Sequence, residues 1–530
     1  MGARPRGNTL AQRQYGILIT IGLAVVAAAI GGVILLSSGR ASEVDLTSAK
    51  LVPADPALYV AFNTDLSSSQ WVAAFRLIER LGTANPEKRL KETALDGGVD
   101  WEKDVAPFLG GNAAVYLRGF SIADLSVQGA AIVKCRDAKR ALEVVQDQSG
   151  LDFVQQKYNG VTYFDGGGMY LARIGDHLVL AMDDPSMREV IDVSTGKKPS
   201  LDSVGDFKSL RDELTTNFLA FVYMDASAFA DGIFGGDAAL KDALRASGAG
   251  DLALKPGAAV IGAKGQSFEF QAAAVGKAGD ASPMLAPRTP KFAAMVPADA
   301  SIFFSTTKLA QTWQQVKGNS KTQLDTFFRD QGDYRNLDEA LKAAGQKVGL
   351  KNIEELINLF SGEMSVAAWF PSMDESDAQV ALLAEVADAA KARKVIDSVI
   401  ASSGKAKSRT ENVKGVEMTF VRSDAGDELG YAVTDSYMIF GTAKAARSIV
   451  AKDFGPDLAG AAKYQKTVKE MPTALGTFAY FDVANLLRLT SGGVPVDLDV
   501  AEKVLQGAIV NFVEERGVAR VSGVITIAEK

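Results

Sequence analysis

Two stretches of this chain repeat one another: Leu51-Val-Pro-Ala-Asp-Pro-Ala-Leu-Tyr-Val60 returns as Met295-Val-Pro-Ala-Asp-Ala-Ser-Ile-Phe-Phe304. A chain that repeats itself at this distance builds one fold twice. The match continues beyond the opening. Pro53 and Asp55 align with Pro297 and Asp299 at an offset of 244, Phe108 and Gly110 with Phe360 and Gly362 at 252, and Phe221–Asp225 with Phe478–Asp482 at 257. Asp176 aligns with Asp435 at 259, which sets His177 against Ser436. The drift is small, so the copies differ by short insertions only.

Hydropathy patterning gives each copy its elements. Ala57–Asn63, an apolar run closed by Asn63, predicts a half-buried strand. Ser67 or Ser68 then caps a helix whose Trp71, Phe75, Ile78 and Leu81 form one apolar stripe ending at Gly82. Helices are expected from Pro86 to Gly97, from Asp100 to Leu109, over Asp137–Gln148, from an Asp184-Pro185 start, and over Phe207–Leu214. Strands are expected at Ala113–Leu117, Gly129–Lys134, Gly160–Asp165, Met169–Ile174, Leu178–Met182 and Phe218–Met224. Short Gly and Asp turns between several of them imply antiparallel pairing. Both copies finish in apolar alternation, over Ala258–Val275 and Ala519–Ile527. Between them Lys277–Lys291 holds Pro283, Pro287 and Pro290, the composition of an extended, semi-rigid boundary. The fold class is therefore α+β: two tandem homologous lobes, each a mainly antiparallel sheet packed with helices, plus one N-terminal transmembrane helix.

That helix is read from Gly16–Ser37, an apolar segment in an interval with no charge between Arg13 and Arg40. As a helix it spans roughly 33 Å, about one hydrocarbon core. Arg4, Arg6 and Arg13 precede it without an acid, whereas Glu43 and Asp45 follow it, so the positive-inside rule keeps the N-terminus in the cytoplasm. An uncleaved signal-anchor is expected in preference to a cleaved signal. The organisation is then a cytoplasmic tail over 1–14, the span over 15–38, a spacer over 39–50, an extracytoplasmic lobe over 51–276, the Pro-rich linker over 277–291 and a second lobe over 292–530.

The Val-Pro-Ala-Asp opening, the Trp helix, the Phe-x-Gly before a strand, the Leu178-Val-Leu-Ala181 strand and the closing Pro472–Asp482 pattern resemble an uncharacterised bacterial membrane-anchored family, domain of unknown function 3352 (DUF3352). The resemblance covers nearly everything after residue 50 and implies a single N-terminal span with an exported repeat body. It brings no activity, cofactor or catalytic residue. The first copy departs from the closing pattern, with Glu213-Leu-Thr-Thr-Asn217 where the second has Met471-Pro-Thr-Ala-Leu475.

Comparing the copies tests for chemistry, because an active site kept in both halves leaves reactive side chains at matched positions. The matched polar residues are mainly Pro and Asp. Pro53 and Pro297 fix φ before a strand, Asp55 and Asp299 suit Asx-turns, and Asp225 and Asp482 suit helix N-caps. His177 is the lone histidine, which excludes His-pair and Cys-His zinc sites, and a surface or half-buried place is expected for it. Cys135, the lone cysteine, reads as a buried inert thiol. Gly166–Gly168 reads as a turn, Asp497 and Asp499 as capping or solvated acids, and Trp71, Trp101, Trp313 and Trp369 as core rather than sugar-stacking residues.

With 57 Lys+Arg against 64 Asp+Glu the net charge of −7 gives no footprint for nucleic acid. No catalytic, cofactor or metal residue is assigned. The leading expectation is non-enzymatic binding or scaffolding in the cell envelope by a membrane-anchored protein. Its partners would be the bilayer through residues 15–38 and an envelope protein or apolar ligand, with the groove between lobes as the expected binding place. A carboxylate-dependent envelope hydrolase and a purely structural envelope-assembly protein are the alternatives.

Overall fold

The computed structural model describes residues 46–89, 92, 106–121, 126–214, 217–225, 227–228, 255–274, 282–330, 334–372, 377–402, 407–422, 428–489, 504–515 and 518–528. The expected span at 15–38 lies outside them. No helix among the described residues is long and apolar enough to cross a membrane. The chain is α+β with antiparallel strands, and it divides into two compact units whose described residues run over 46–274 and 282–528.

The first unit contributes strands β1 (Leu58–Asn63), β2 (Leu109–Ser121), β3 (Ser126–Cys135), β4 (Val154–Tyr158), β5 (Val161–Asp165), β6 (Tyr170–Ile174), β7 (His177–Ala181), β8 (Ala220–Asp225), β9 (Pro256–Lys264) and β10 (Ser267–Ala274). Its helices are α1 (Ser69–Arg80), α2 (Ala138–Ser149), α3 (Asp184–Ser194) and α4 (Gly205–Glu213). The strands lie in the order β4-β5-β6-β7-β3-β2-β1-β8-β9-β10, each antiparallel to its neighbour.

The second unit contributes β11 (Ile302–Thr307), β12 (Glu363–Trp369), β13 (Gln379–Glu385), β14 (Lys407–Val413), β15 (Val416–Arg422), β16 (Glu428–Val433), β17 (Tyr437–Thr442), β18 (Thr477–Asp482), β19 (Leu505–Glu515) and β20 (Val518–Ile527). Its helices are α5 (Leu309–Asp330), α6 (Leu337–Lys347), α7 (Glu354–Ile357), α8 (Ala389–Ser402), α9 (Ala443–Ala451), α10 (Ala462–Lys469) and α11 (Val483–Leu489). The order is β14-β15-β16-β17-β13-β12-β11-β18-β19-β20, the same topology strand for strand.

Alternation along the strands buries one face of each sheet. In the first unit, Phe207 on α4 meets Tyr59, Phe221 and Tyr223 edge-on, with ring centroids 5.9, 5.9 and 5.4 Å away. In the second, Tyr464 on α10 meets Tyr480 at 5.1 Å, and Phe303, Phe478, Ile439 and Ile449 complete the core. Rings of this size contribute several kcal/mol each through burial, and their edge contacts add about 1 kcal/mol per pair.

Three expectations are corrected. The cap of α3 is Asp183, which accepts the Ser186 N–H at 2.7 Å, so Asp184 and Pro185 are the first helical residues. Leu109, expected to end a helix, opens β2; residues 100–105 of that stretch lie outside the described residues. The hairpin register pairs Arg173 with Leu178 in one unit and Val433 with Met438 in the other, so Tyr437 rather than Ser436 takes the place of His177. The described part of the Pro-rich segment is also fastened down. Met284 N donates to Thr312 Oγ1 at 3.2 Å, Thr477 Oγ1 to Met284 O at 2.8 Å, and Arg288 N to Leu475 O at 2.7 Å.

Candidate ligand-binding surface

The matched residues prove to be joints. Pro53 bridges Ser200 and Pro297 bridges Asp457, while Leu201 N donates to Val52 O at 2.8 Å and Leu458 N to Val296 O at 2.9 Å. The Val-Pro-Ala-Asp segment is thus sewn in each unit to the chain beyond the last hairpin helix. Asp55 is exposed and lies 3.9 Å from Arg118, and Ala300 N closes a turn onto Pro297 O at 3.1 Å. Asp225 Oδ1 accepts the N–H groups of Ser227 and Ala228, both at 3.0 Å, and Asp482 Oδ1 accepts that of Asn485 at 3.1 Å. Both are N-cap contacts, as their sequence positions imply.

The remaining candidates are dispersed. His177 is buried at the start of β7, a strand paired on both sides, with Nδ1 2.8 Å from Asp176 Oδ1. Burial pushes the Cys135 thiol up to about 11, and its Sγ–H donates to Val133 O at 3.4 Å. Gly167 and Gly168 take positive φ in the β5–β6 turn, a conformation natural to glycine. The indole N–H groups of Trp71 and Trp313 donate to Asn63 O at 2.7 Å and Glu354 Oε1 at 2.8 Å, which fixes both rings structurally. Trp101, Asp497 and Asp499 lie outside the described residues. No group of His, Cys, Asp and Glu among the described residues is arranged to hold a metal.

What the sheets bring together is apolar. A side of an antiparallel sheet that faces water usually carries polar residues. On the face opposite the core, in the second unit, the register aligns Phe440, Leu382, Val366, Phe304, Ala479 and Val510 in one row across six strands. A parallel row holds Val380, Ala368, Ile302, Phe481, Ala508 and Ile525. These side chains are half-buried or exposed, reaching 37% for Phe440, 40% for Val380 and 43% for Ile525, with Phe512 beside them at 44%. The first unit has its counterpart in Leu180, Ala131, Val115, Val60, Val222, Ala259 and Ala272. One end of this face is covered in each unit: Ala141 and Leu142 of α2 lie with Leu171 and Leu178, and Val395 and Ile396 of α8 with Ala384 and Met438.

The signal in the sequence was present but ambiguous. Segments such as Leu58-Tyr-Val-Ala-Phe62 are apolar at consecutive positions, which marks a strand with two apolar faces as well as one in a buried interior.

Fold and surface together define a class: an α+β protein of antiparallel sheets with one face packed by helices and the other apolar. The profile of the family described as "Protein of unknown function (DUF3352)" matches residues 17–507, and the chain belongs to that family. No curated protein matches the chain. Among solved structures, crystal form III of TP0453 is similar with 9% identity and a TM-score of 0.25, covering 43% of this chain and 78% of that one. Crystal form I of TP0453 gives 11% identity and the same score, covering 44% and 80%. A likeness at that score leaves the fold to be read from the chain's own strand order.

Proposed function

We propose that the protein is a single-pass protein of the cytoplasmic membrane, its N-terminus in the cytoplasm and its bulk outside, that binds an acyl-chain-bearing molecule without transforming it. The observation that carries this reading is the outward apolar face in each unit. Exposed apolar area of this continuity marks a place where something apolar is held. The charge-free segment 16–37, with arginines before it and acids after it, supports the membrane attachment. Eight residues, 38–45, separate that segment from the first described residue; fully extended they reach at most about 28 Å, so the first unit stays near the headgroups. The matched strand orders support descent of both units from one duplicated lobe.

A hydrolase working through paired carboxylates needs an acid kept protonated beside one that is not. The carboxyls that shift clearly among the described residues all move the other way. Burial raises Glu354 and Glu385, but hydrogen bonds from Trp313 and Lys317, and from the Glu363 N–H and Lys291, outweigh it. Asp338 is lowered by Lys321 and Lys317, and Glu411 by Arg447 and Arg409. These are ion-pair acids, which favours binding over acid-base chemistry.

The test is photochemical. The full chain is reconstituted in vesicles containing a phospholipid with a diazirine in its acyl chain, illuminated and digested. Adducts on peptides carrying Phe440 or Phe512, at least tenfold weaker in a Phe440→Asp, Phe512→Asp variant, are expected. Adducts confined to residues 16–37 would leave a structural envelope role as the better reading.

A further inference from the structure

The apolar face of the second unit has a depth, a length and two unlike ends, and these constrain how a hydrocarbon chain can lie on it. Each of the four central strands, β13, β12, β11 and β18, presents three residues on this side. One row of them is covered. Met438 and Ala384 pack with Val395 and Ile396 of α8, while Thr306 and Thr477 are buried and bond each other at 2.7 Å, with Thr477 Oγ1 donating to Met284 O of the Pro-rich segment at 2.8 Å. The two remaining rows, those of Phe440 and Val380, stand two residues apart along each strand, a depth of about 7 Å. Across the sheet each row crosses six strands, roughly 24 Å at the usual strand spacing.

The acyl chains of one leaflet fill half of a hydrocarbon core ~30 Å thick, so a single chain needs about 15 Å of apolar surface. That length fits across the strands and exceeds the depth along them. The two ends of the face also differ, because beyond Phe440 its row passes to Tyr431, Thr419 and Thr410, all hydroxyl-bearing, with Tyr431 Oη donating to Asp397 Oδ1 at 2.7 Å. At the far end stand Phe512, Val521 and Ile525, apolar and half-buried or exposed. An ester carbonyl set among apolar side chains loses its hydrogen bonds, so its place is the hydroxyl-bearing end. Resting on the acyl-chain reading above, we infer that the ligand is a long-chain ester lipid whose chain lies across the strands of the second unit, its ester end toward Tyr431 and Thr419 and its methyl end over β19 and β20.

The test needs no variant. The full chain in vesicles is illuminated with each of three phospholipids, whose diazirine sits beside the ester, at the methyl end of a long chain, or at the methyl end of a chain half as long, and the adducts are mapped after digestion. The long-chain methyl-end probe is expected on the peptides of Phe512 and Ile525 at least threefold over that of Phe440, and the ester-side probe in the opposite ratio. The short chain, stopping before β19, is expected to return its methyl-end adducts to the Phe440 peptide. The same distribution from the ester-side and long-chain methyl-end probes, the reversed order, or a short-chain pattern equal to the long-chain one would overturn the inference and leave acyl-chain binding standing. Absence of adducts from all these peptides would instead remove acyl-chain binding itself, and the inference with it.

Discussion

Gly110 and Gly362, matched in the repeat, show why residue identity was kept where no chemistry is done. A Cβ on Gly110 would stand 2.8 Å from Lys134 O, and one on Gly362 would stand 2.7 Å from Glu385 Cβ, at the end of the neighbouring strand in each unit. The duplicated signal is the price of close strand approach, not of a site. The capping aspartates have unequal burdens. Among the described residues Asp225 accepts only backbone N–H groups, whereas Asp482 is buried and also binds Lys463 Nζ at 2.8 Å. Denaturant titration should show Asp225→Ala costing about 1 kcal/mol and Asp482→Ala about 2 kcal/mol. Cys135, shielded and with its thiol pushed up to about 11, should react with an aromatic disulfide reagent at neutral pH only after denaturant is added. Its burial was legible from Ala130-Ala-Ile-Val133 before it, and so were the caps. The burial of His177 was not, because it depends on β7 lying between β3 and β6, a long-range pairing that no local pattern encodes.

Elements were legible in proportion to their amphipathicity. Predicted helix Asp137–Gln148 becomes α2, and predicted strand Gly160–Asp165 becomes β5, each within a residue or so. Strand β4 was missed: Val154-Gln-Gln-Lys-Tyr158 has no apolar alternation, since it pairs with β5 alone and its residues are exposed except for half-buried Tyr158. Edge strands of this kind are held by backbone bonds and carry little periodicity. Helix α5 is tied to its neighbours through Lys317, whose Nζ lies 3.1 Å from both Asp338 on α6 and Glu354 on α7. Burial lowers Lys317, but bonds to Glu354 and Asp338 outweigh it and leave it raised. Asp338 and Glu354 are lowered, so their contribution is complete above the unfolded carboxyl values near about 4 and disappears as pH falls through the folded ones. The Lys317 contribution is complete below about 10.4 and disappears as pH rises through its raised value. Lys317→Met should therefore cost about 1 kcal/mol at neutral pH in a denaturant melt and almost nothing below about pH 3.

At the scale of the molecule, the repeat in the sequence foretold a repeated strand order, and each unit has ten described strands in the same sequence of neighbours. The outward apolar faces were less legible, because composition along a strand says that both sides are apolar but not which side the described helices cover only at one end. The register presents large side chains at 380 and 440 from one pair of neighbouring strands and at 512 and 525 from another, all on the same face of the second unit. Loss of the second-unit face alone should leave the fold intact, since Phe440→Asp and Phe512→Asp sit outside the core; far-ultraviolet circular dichroism should not change.

The most direct measurement places an environment-sensitive fluorophore on that face. In a Cys135→Ser background, the full chain carrying Phe440→Cys or Phe512→Cys is labelled in vesicles and exposed to lipids bearing a nitroxide on the acyl chain, with exposed Arg76→Cys on α1 as reference. Blue-shifted emission and strong quenching at 440 and 512, with neither at 76, is the predicted result. Emission at 440 and 512 matching that of the water-exposed reference, unquenched at any lipid content, would contradict an acyl-chain-binding face.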